Sequence, residues 1–242
     1  MTVALWRRLV AEFVGTGLLV AVVVGSGIAA SRLSPSDVGL QLLENSTVTA
    51  FGLTALILTF GPVSGAHFNP VVTLADWVLS RGSGVATRDV VPYLAAQTAG
   101  AIGGALLANG MFDIPAGWSK HDRSDSHLLL GEVVATAGLI LLIFSLARSG
   151  KANLSAPAVG AYIGAAYWFT SSTSFANPAV TVGRCFTNTF AGIEPSSVPG
   201  FIGAQVVGAV VGLGLLLALY PVASLGANDV VVPHVPAVEG TR

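Results

Sequence analysis

Two asparagine–proline pairs are the residues of this chain whose chemistry is most informative. Asn69 precedes Pro70 and Asn177 precedes Pro178, and each pair separates a polar segment from an apolar run. Asparagine is favoured just before a helix and proline in its first turn, so both pairs predict helix starts. The free N–H groups of a helix start carry about half a positive charge, and each Asn side chain adds amide donors. Each pair therefore predicts a site that repels cations and donates hydrogen bonds to oxygen lone pairs.

The rest of the chain is too apolar for a water-soluble protein. Of its 242 residues, 53% are hydrophobic and 10% are charged, whereas a soluble domain carries about 25% charged residues. The net charge of −1 provides no basic surface for nucleic acid, and the single cysteine, Cys185, excludes a disulfide framework or a cysteine metal cage. We therefore predict a polytopic membrane protein and exclude an ordinary soluble enzyme, a nucleic-acid binder and a disordered protein.

Six apolar segments approach the length of about 20 residues that a membrane span needs. They are Leu9–Ala30, Thr47–Phe60 with its N-terminal flank, Val90–Met111, Leu128–Ala147, Leu154–Thr170 and Val198–Tyr220. Two shorter pieces, Asn69–Leu79 and Asn177–Phe186, cannot cross a membrane and are predicted to be half-helices. The first segment exceeds a signal-peptide core of about 7–15 residues, so it is interpreted as a span. Residues 223–242 are predicted to be disordered.

An internal repeat relates the two halves of the chain. Asn69-Pro70-Val71-Val72-Thr73 recurs as Asn177-Pro178-Ala179-Val180-Thr181, and a Gln-Gly pattern (Ala96-Gln97, Gly100, Gly104) recurs as Ala204-Gln205, Gly208 and Gly212. A Glu-containing motif around Glu12 recurs around Glu132. Each half thus holds three spans and one half-helix. Because three is odd, the second half must enter the membrane from the opposite side, which predicts an inverted repeat of residues 1–118 and 119–222.

Inversion would direct both half-helix starts at one central region near the bilayer midplane. Non-helical backbone at that depth is tolerated only where it is buried in protein or lines a wet cavity. Two partly positive helix ends and two Asn amides suit the conduction of small neutral polar molecules, and they exclude protons by electrostatics rather than by size.

The distribution of basic residues favours cytoplasmic N- and C-termini. With this orientation seven Arg or Lys residues lie inside and four outside, as the positive-inside rule expects. The inside set is Arg7, Arg8, Arg81, Arg88, Arg148, Lys151 and Arg242, and the outside set is Arg32, Lys120, Arg123 and Arg184.

The paired motifs resemble those of the aquaporin (major intrinsic protein) family. The segments Ser64-Gly-Ala-His-Phe-Asn-Pro70 and Ser174-Phe-Ala-Asn-Pro-Ala179, with the repeated Glu and Gln spans, carry the resemblance over about residues 5–220. It implies an all-α fold of six transmembrane helices and two re-entrant half-helices, with a pore in each subunit of a homotetramer in the cell membrane. We accordingly predict no enzymatic activity, no cofactor and no bound metal.

Two positions depart from the family pattern. The first motif reads Asn-Pro-Val, with Val71 at the position where the family motif has Ala. We interpret this difference as a packing variation. Three residues after Asn177, most family members have an Arg that forms a narrow outer filter, and this chain has Val180. The missing charge predicts a wider and less polar filter than that of a water-selective channel.

Alignment with the family places the other filter positions at Ala165 and Ser174. The filter residue of the second span is Thr49 or Phe51, depending on where a two-residue gap is placed. Such a lining predicts a channel for uncharged solutes larger than water, such as glycerol-like polyols or the hydroxides of trivalent metalloids.

The segment from Ala161 to Val180, with Tyr167-Trp168-Phe169-Thr170, also resembles the bacterial aquaglyceroporin branch associated with arsenite resistance. Arsenous acid is neutral at pH 7 and resembles a polyol in its hydroxyl groups. The alternatives are a water-selective aquaporin and an ion-coupled secondary transporter, since transporters also contain inverted repeats and broken helices. An intramembrane hydrolase and a non-conducting scaffold are less consistent with the motifs.

Six further polar residues are interpreted as structural. They are Glu12, Glu132, His67, Gln97, Gln205 and Arg184. The two carboxylates are expected to accept hydrogen bonds from the buried re-entrant loops, because an isolated charge inside a span is costly. For His67 a pore-lining role is the alternative, and for Arg184 the alternative is to replace the missing filter charge. The GxxxG pairs beginning at Gly100 and Gly208 predict close contact between the two halves.

Overall fold

The structure is a computed structural model that describes residues 3–80 and 84–221, and within these ranges the chain is helical and contains no strand. The segment 223–242, for which we predicted disorder, lies outside the described residues. The α-helices are α1 Leu5–Leu33, α2 Val38–Ser64, α3 Pro70–Ser80, α4 Thr87–Met111, α5 Ser126–Arg148, α6 Ser155–Phe169, α7 Pro178–Gly183 and α8 Val198–Leu219.

Five of the described helices, α1, α2, α4, α5 and α8, are long and apolar enough to cross a membrane. Helix α6 is the sixth expected span and has only 15 residues. A 3₁₀ turn of three residues, Ala152–Leu154, leads directly into it. At about 1.5 Å per α-helical residue and about 2.0 Å per 3₁₀ residue, the two together extend roughly 28 Å, close to the thickness of the hydrocarbon core.

The two short helices begin at the Asn-Pro pairs. Helix α3 has 11 residues, and α7 has six and continues as the 3₁₀ turn Arg184–Phe186. The two contact each other, and each also packs against helices of both halves of the chain: α3 against α4 and α8, and α7 against α1, α4 and α8. The all-α fold with paired half-helices is therefore confirmed.

Glycines bring the first and last long helices of each half into backbone contact. A Cβ atom added to Gly104 on α4 would lie 2.0 Å from the carbonyl oxygen of Gly17 on α1. In the second half, a Cβ on Gly212 of α8 would lie 2.5 Å from the carbonyl oxygen of Ala137 on α5. The expectation that these GxxxG pairs join the two halves was wrong, because each pair closes a contact within its own half.

Replacing Gly104 by Ala should destabilise the protein by about 1–3 kcal/mol, because neither backbone can move aside without disturbing the packing of α1 on α4. Gly103 is the matched control: it is exposed on the same helix, and a Cβ there meets nothing within 4 Å. Gly103→Ala should be neutral or stabilising by up to about 1 kcal/mol through helix propensity. Thermal unfolding of the purified variants in detergent measures both, and equal midpoints would contradict the contact.

Candidate functional site

The side chains of Asn69 and Asn177 cross-link the two re-entrant loops at the centre of the molecule. Asn69 Nδ2 donates to the carbonyl oxygen of Ala176 at 2.7 Å, and Asn177 Nδ2 donates to the carbonyl oxygen of Phe68 at 2.7 Å. The two bonds are reciprocal, since each amide reaches the residue just before the other Asn. They fix the starts of α3 and α7 against each other.

The Oδ1 atom of each Asn caps its own half-helix. Asn69 Oδ1 accepts the N–H of Val71 at 3.1 Å, and Asn177 Oδ1 accepts the N–H groups of Ala179 and Val180 at 3.0 and 3.2 Å. An N-cap of this kind satisfies helix-start donors that would otherwise be unpaired. With Oδ1 committed to the cap, the side-chain NH₂ group must face the opposite loop and the space between the loops.

The loops preceding the half-helices share an unusual backbone conformation. Three residues in each loop have φ in the left-handed region, at matching distances from the Asn. The matched pairs are Gly65 (88°) and Thr173 (60°), Ala66 (48°) and Ser174 (50°), and Phe68 (51°) and Ala176 (46°). For residues other than Gly this conformation costs roughly 1–2 kcal/mol each, so other contacts must hold the loops in place.

Buried carboxylates supply those contacts. Glu12 accepts the backbone N–H groups of His67 at 3.0 Å and Phe68 at 2.7 Å. Glu132 accepts the N–H groups of Phe175 and Ala176, each at 2.8 Å. Both carboxylates are 0% exposed. The strong charge-assisted bonds satisfy loop amides that have no helical partner.

In each half of the chain, one glutamine connects the buried carboxylate to the half-helix. Gln97 Nε2 donates to Glu12 at 2.8 Å and to Thr73 Oγ1 at 2.9 Å. Gln205 Nε2 donates to Glu132 at 2.6 Å and to Thr181 Oγ1 at 2.9 Å. Because Thr73 and Thr181 lie on α3 and α7, each glutamine joins a spanning helix, a carboxylate and a half-helix.

A cavity opens between the helices and the paired loops. Most of its wall is apolar and comes from residues of α1, α2, α5 and α6. The polar residues in its lining are Thr49, His67, Asn69, Tyr167, Ser174, Asn177 and Arg184, and Val180 lies among them. Among residues 3–80 and 84–221, no Asp or Glu lines the cavity. An apolar wall with a few convergent polar groups is typical of a site for small molecules.

Of the two expected residues in the second span, the structure places one in the cavity lining, and on α6 it places a different residue there from the expected one. Phe51 is 73% exposed on the outer surface of α2, whereas Thr49 lines the cavity. Ala165 is exposed on α6, and Tyr167 lines the cavity instead. Two residues along a helix turn the side chain by roughly 200°, so Ala165 and Tyr167 lie on opposite sides of α6. The Thr49 and Tyr167 hydroxyls lie 3.2 Å apart.

Sequence reasoning had a signal that could have found Tyr167. A two-residue gap was considered in the second span, and the same gap in the loop after Phe169 would have moved the filter position from Ala165 to Tyr167. A tyrosine also carries a hydroxyl that needs a partner when it is buried, which Ala165 cannot offer.

The other motif residues are buried in the first turns of the half-helices and do not line the cavity. They are Pro70, Val71, Pro178 and Ala179. Ser174 lines the cavity, and its Oγ atom is buried without a hydrogen-bond partner. This hydroxyl therefore has unused hydrogen-bonding capacity beside the cavity.

His67 and Arg184 both line the cavity and also contact the protein. His67 Nδ1 lies 3.1 Å from Thr73 Oγ1, and Arg184 Nε donates to the carbonyl oxygen of Ala191. For both residues a structural contact therefore coexists with a position on the cavity wall. Cys185 does not belong to the described cavity lining, and its thiol donates to the Thr181 carbonyl oxygen at 3.6 Å.

Replacing Glu132 by Gln should lower the thermal midpoint in detergent by roughly 5 °C or more. The amide keeps one acceptor oxygen, and its NH₂ group must face a donor, so at least one buried N–H loses a bond worth about 1.5–3 kcal/mol.

Glu44→Gln is the matched control for this change. Glu44 accepts a hydrogen bond from Ser34 Oγ at 2.8 Å, and the oxygen of a Gln side chain can still accept it. The control midpoint should move by less than about 2 °C. Equal effects of the two substitutions would rule out the anchoring role of Glu132.

Known proteins are similar to this chain in sequence and in fold. A family model described as Major intrinsic protein matches residues 1–174. The chain is 48% identical over 213 residues to the aquaglyceroporin AqpS of Rhizobium meliloti, covering 88% of this chain and 89% of the relative. It is 32% identical over 235 residues to aquaporin Z of Brucella melitensis, covering 85% of this chain and 94% of the relative.

A solved structure has the same fold. The X-ray structure of the aquaglyceroporin from Plasmodium falciparum superimposes with a TM-score of 0.65 over 88% of this chain and 95% of that chain, at 20% sequence identity. At that identity the match bears on the fold alone, whereas the family model covers well over half of the sequence. The paired Asn-Pro loops, the family model and the two sequence relatives agree: the chain belongs to the major intrinsic protein family.

Proposed function

We propose that the protein is a passive transmembrane channel for small uncharged solutes wider than water. The observation that carries this proposal is the cavity whose lining includes both Asn69 and Asn177. Each amide NH₂ group has two donors and uses one on the opposite loop, which leaves the other for an oxygen atom inside the cavity. Apolar walls elsewhere let a solute leave this centre without a deep binding minimum.

Proton exclusion follows from the same centre. Two amide donors and two half-helix starts favour the oxygen atom of a passing molecule and disfavour a positive charge. A water molecule whose oxygen accepts hydrogen bonds from both amides has no lone pair left to receive a proton from a neighbouring water, so a proton cannot be relayed through it. The cross-linked Asn pair therefore supports passage of neutral molecules with exclusion of protons.

The proposed filter consists of Thr49, Tyr167, Ser174 and Val180, with Tyr167 in place of Ala165. Val180 brings an apolar side chain and no charge, and the three hydroxyls can exchange hydrogen bonds with the hydroxyl groups of a solute. Ser174 Oγ is the clearest candidate, because it is buried without a protein partner. This combination favours glycerol-like polyols and arsenous acid over ions.

The relatives agree with a solute wider than water, since AqpS is described as an aquaglyceroporin and a relative from Citrobacter freundii, 38% identical over 108 residues, as a propanediol uptake facilitator. This chain covers 38% of the latter. We propose arsenous acid and related metalloid hydroxides as further solutes, because they are neutral and carry a polyol-like array of hydroxyls.

The proposal extends to the assembly and its placement. Residues 1–118 and 119–222 are proposed as two inverted repeats, a symmetry supported by the matched bonds of Glu12 and Glu132 to the two loops. We further propose a homotetramer in the plasma membrane with both termini in the cytoplasm, and neither enzymatic activity nor a cofactor.

Two other functions fit less well. An ion-coupled transporter needs carboxylates at its substrate site, and the carboxylates of Glu12 and Glu132 are instead committed to loop amides. A water-selective aquaporin shares the Asn pair but normally has a charged, narrow filter, which Val180 does not provide.

Reconstituted protein should move glycerol and arsenous acid faster than empty vesicles do, with flux linear in concentration and without accumulation. Stopped-flow light scattering on proteoliposomes, comparing water, glycerol, urea and arsenous acid, measures this. Water flux alone would favour the water-selective alternative, and saturable uphill uptake would favour a transporter. If no solute moves faster than in empty vesicles, the channel proposal fails.

Val180→Arg should reduce glycerol flux by roughly tenfold and water flux by less than about threefold, because a bulky hydrated cation narrows the pore for the wider solute first. Val180→Met is the control, since it adds an unbranched side chain without charge and should leave most of the glycerol flux intact. Equal reductions of water and glycerol by Val180→Arg would contradict the filter assignment.

A further inference from the structure

Arg184 places a positive charge in the wall of the cavity. It follows the last residue of α7, is 2% exposed and lines the same cavity as Val180. Arg184 lies four positions after Val180, which corresponds to about 6 Å along a helix axis, and the two residues lie on nearly the same face. The chain thus has a cation one turn farther from Asn177 than the position that Val180 leaves uncharged.

The guanidinium group is held in place by the second re-entrant segment. Its Cζ atom lies 3.4 Å from the centroid of the Phe175 ring, and its Nε atom donates to the Ala191 carbonyl oxygen. Phe175 is itself fixed, because its N–H donates to Glu132 and its ring packs edge-on against Phe201 at 5.1 Å. A stacked and hydrogen-bonded guanidinium has few alternative positions.

The charge of Arg184 is not neutralised by an ion pair. Both ion pairs among residues 3–80 and 84–221 involve Asp89, which pairs with Arg8 and Arg88. The bond to Ala191 uses one of the five N–H donors of the guanidinium, and the described residues offer the others no acceptor. A buried ion without a partner is costly unless it borders a water-filled space, and Arg184 lies in the wall of the cavity.

Ser174 belongs to the same cavity lining as Arg184. The residue is 3% exposed, its buried hydroxyl has no protein partner, and it lies next in sequence to the Phe175 that supports Arg184. A neutral solute can offer an oxygen lone pair to the guanidinium and exchange a hydrogen bond with the hydroxyl.

We propose that Arg184 is the charged filter residue of this channel, displaced one helical turn from Val180, where it repels cations and hydrogen-bonds neutral hydroxylated or amide solutes. The inference rests on the proposed channel function. The displacement leaves the level of Val180 wide and uncharged while keeping an electrostatic barrier in the same pore. Arg184 is thus specificity-determining in addition to its contact with the loop at Ala191.

Urea and the guanidinium ion form a suitable pair of test solutes, since they have nearly the same shape and differ in charge. Uptake of each labelled compound into proteoliposomes gives a guanidinium/urea flux ratio, in which urea reports that the pore is folded and open. Arg184→Met should raise this ratio by roughly tenfold or more, because a like charge within a few ångströms is removed.

The double variant Val180→Arg/Arg184→Met separates charge from structure. If Arg184 acts by its charge, an Arg at Val180 should return the ratio to within about twofold of that of the parent protein, although it cannot restore the bond to Ala191 or the stacking on Phe175. A ratio that stays raised in the double variant would mean that Arg184→Met acts by disturbing the loop, and it would overturn the inference.

Arg123→Met is the matched control. Arg123 also faces the Phe175 ring, at 5.1 Å, and its Nε atom donates to the Gly192 carbonyl oxygen at 2.9 Å, but it is not among the described residues of the cavity wall. This variant should change the ratio less than Arg184→Met does, because Arg123 shares the contact with Phe175 but does not belong to the described cavity lining.

An unchanged guanidinium/urea ratio in Arg184→Met, with urea flux preserved, would overturn the inference. If that variant does not fold, Arg184→Lys decides: it keeps the charge without the planar stack and should keep the ratio of the parent, and a rise would overturn the inference. A parent protein that moves neither urea nor glycerol would instead overturn the proposed channel, so the two failures are distinguishable.

Discussion

Polypeptide that leaves the helical conformation at membrane depth must still satisfy its backbone N–H and C=O groups, and this requirement governs the centre of the molecule. Two loops run without helical bonds through left-handed backbone positions. Glu12 and Glu132 accept their amides, and the Asn69 and Asn177 side chains donate to their carbonyls. Without water to compete, the loss of any one of these bonds leaves a buried group unpaired, which is costly.

The same requirement explains the distribution of charge. The two carboxylates are consumed by loop amides and are absent from the described lining of the cavity, so the charged group that borders it is Arg184. Around this cation the wall is mainly apolar, and the remaining polar groups are neutral donors and acceptors. A neutral molecule with oxygen atoms finds partners along the wall, while a cation meets a charge and two amide donors.

The fold was largely predictable because its signals are local and repeated. The Asn-Pro pairs begin α3 and α7 as expected, and the apolar segments correspond to the long helices. Contacts that depend on how helices rotate against each other were harder. Gly104 was expected to join the halves but meets Gly17 in its own half, and α6 presents Tyr167 rather than Ala165 to the cavity. A position in a sequence alignment does not specify which side of a helix faces the cavity when both sides of the helix are apolar.

The sequence by itself determined that the chain is a membrane protein of two related halves with two capped half-helices, because composition, length and capping chemistry act over a few residues. Only the tertiary structure decided which side chains share the cavity. Thr49 and Tyr167 lie 118 positions apart in sequence and 3.2 Å apart in space, and Arg184 reaches the wall because Phe175 and Ala191 hold it there. Such neighbours are brought together by packing between distant helices, whose free energy is spread over many contacts that no single motif encodes.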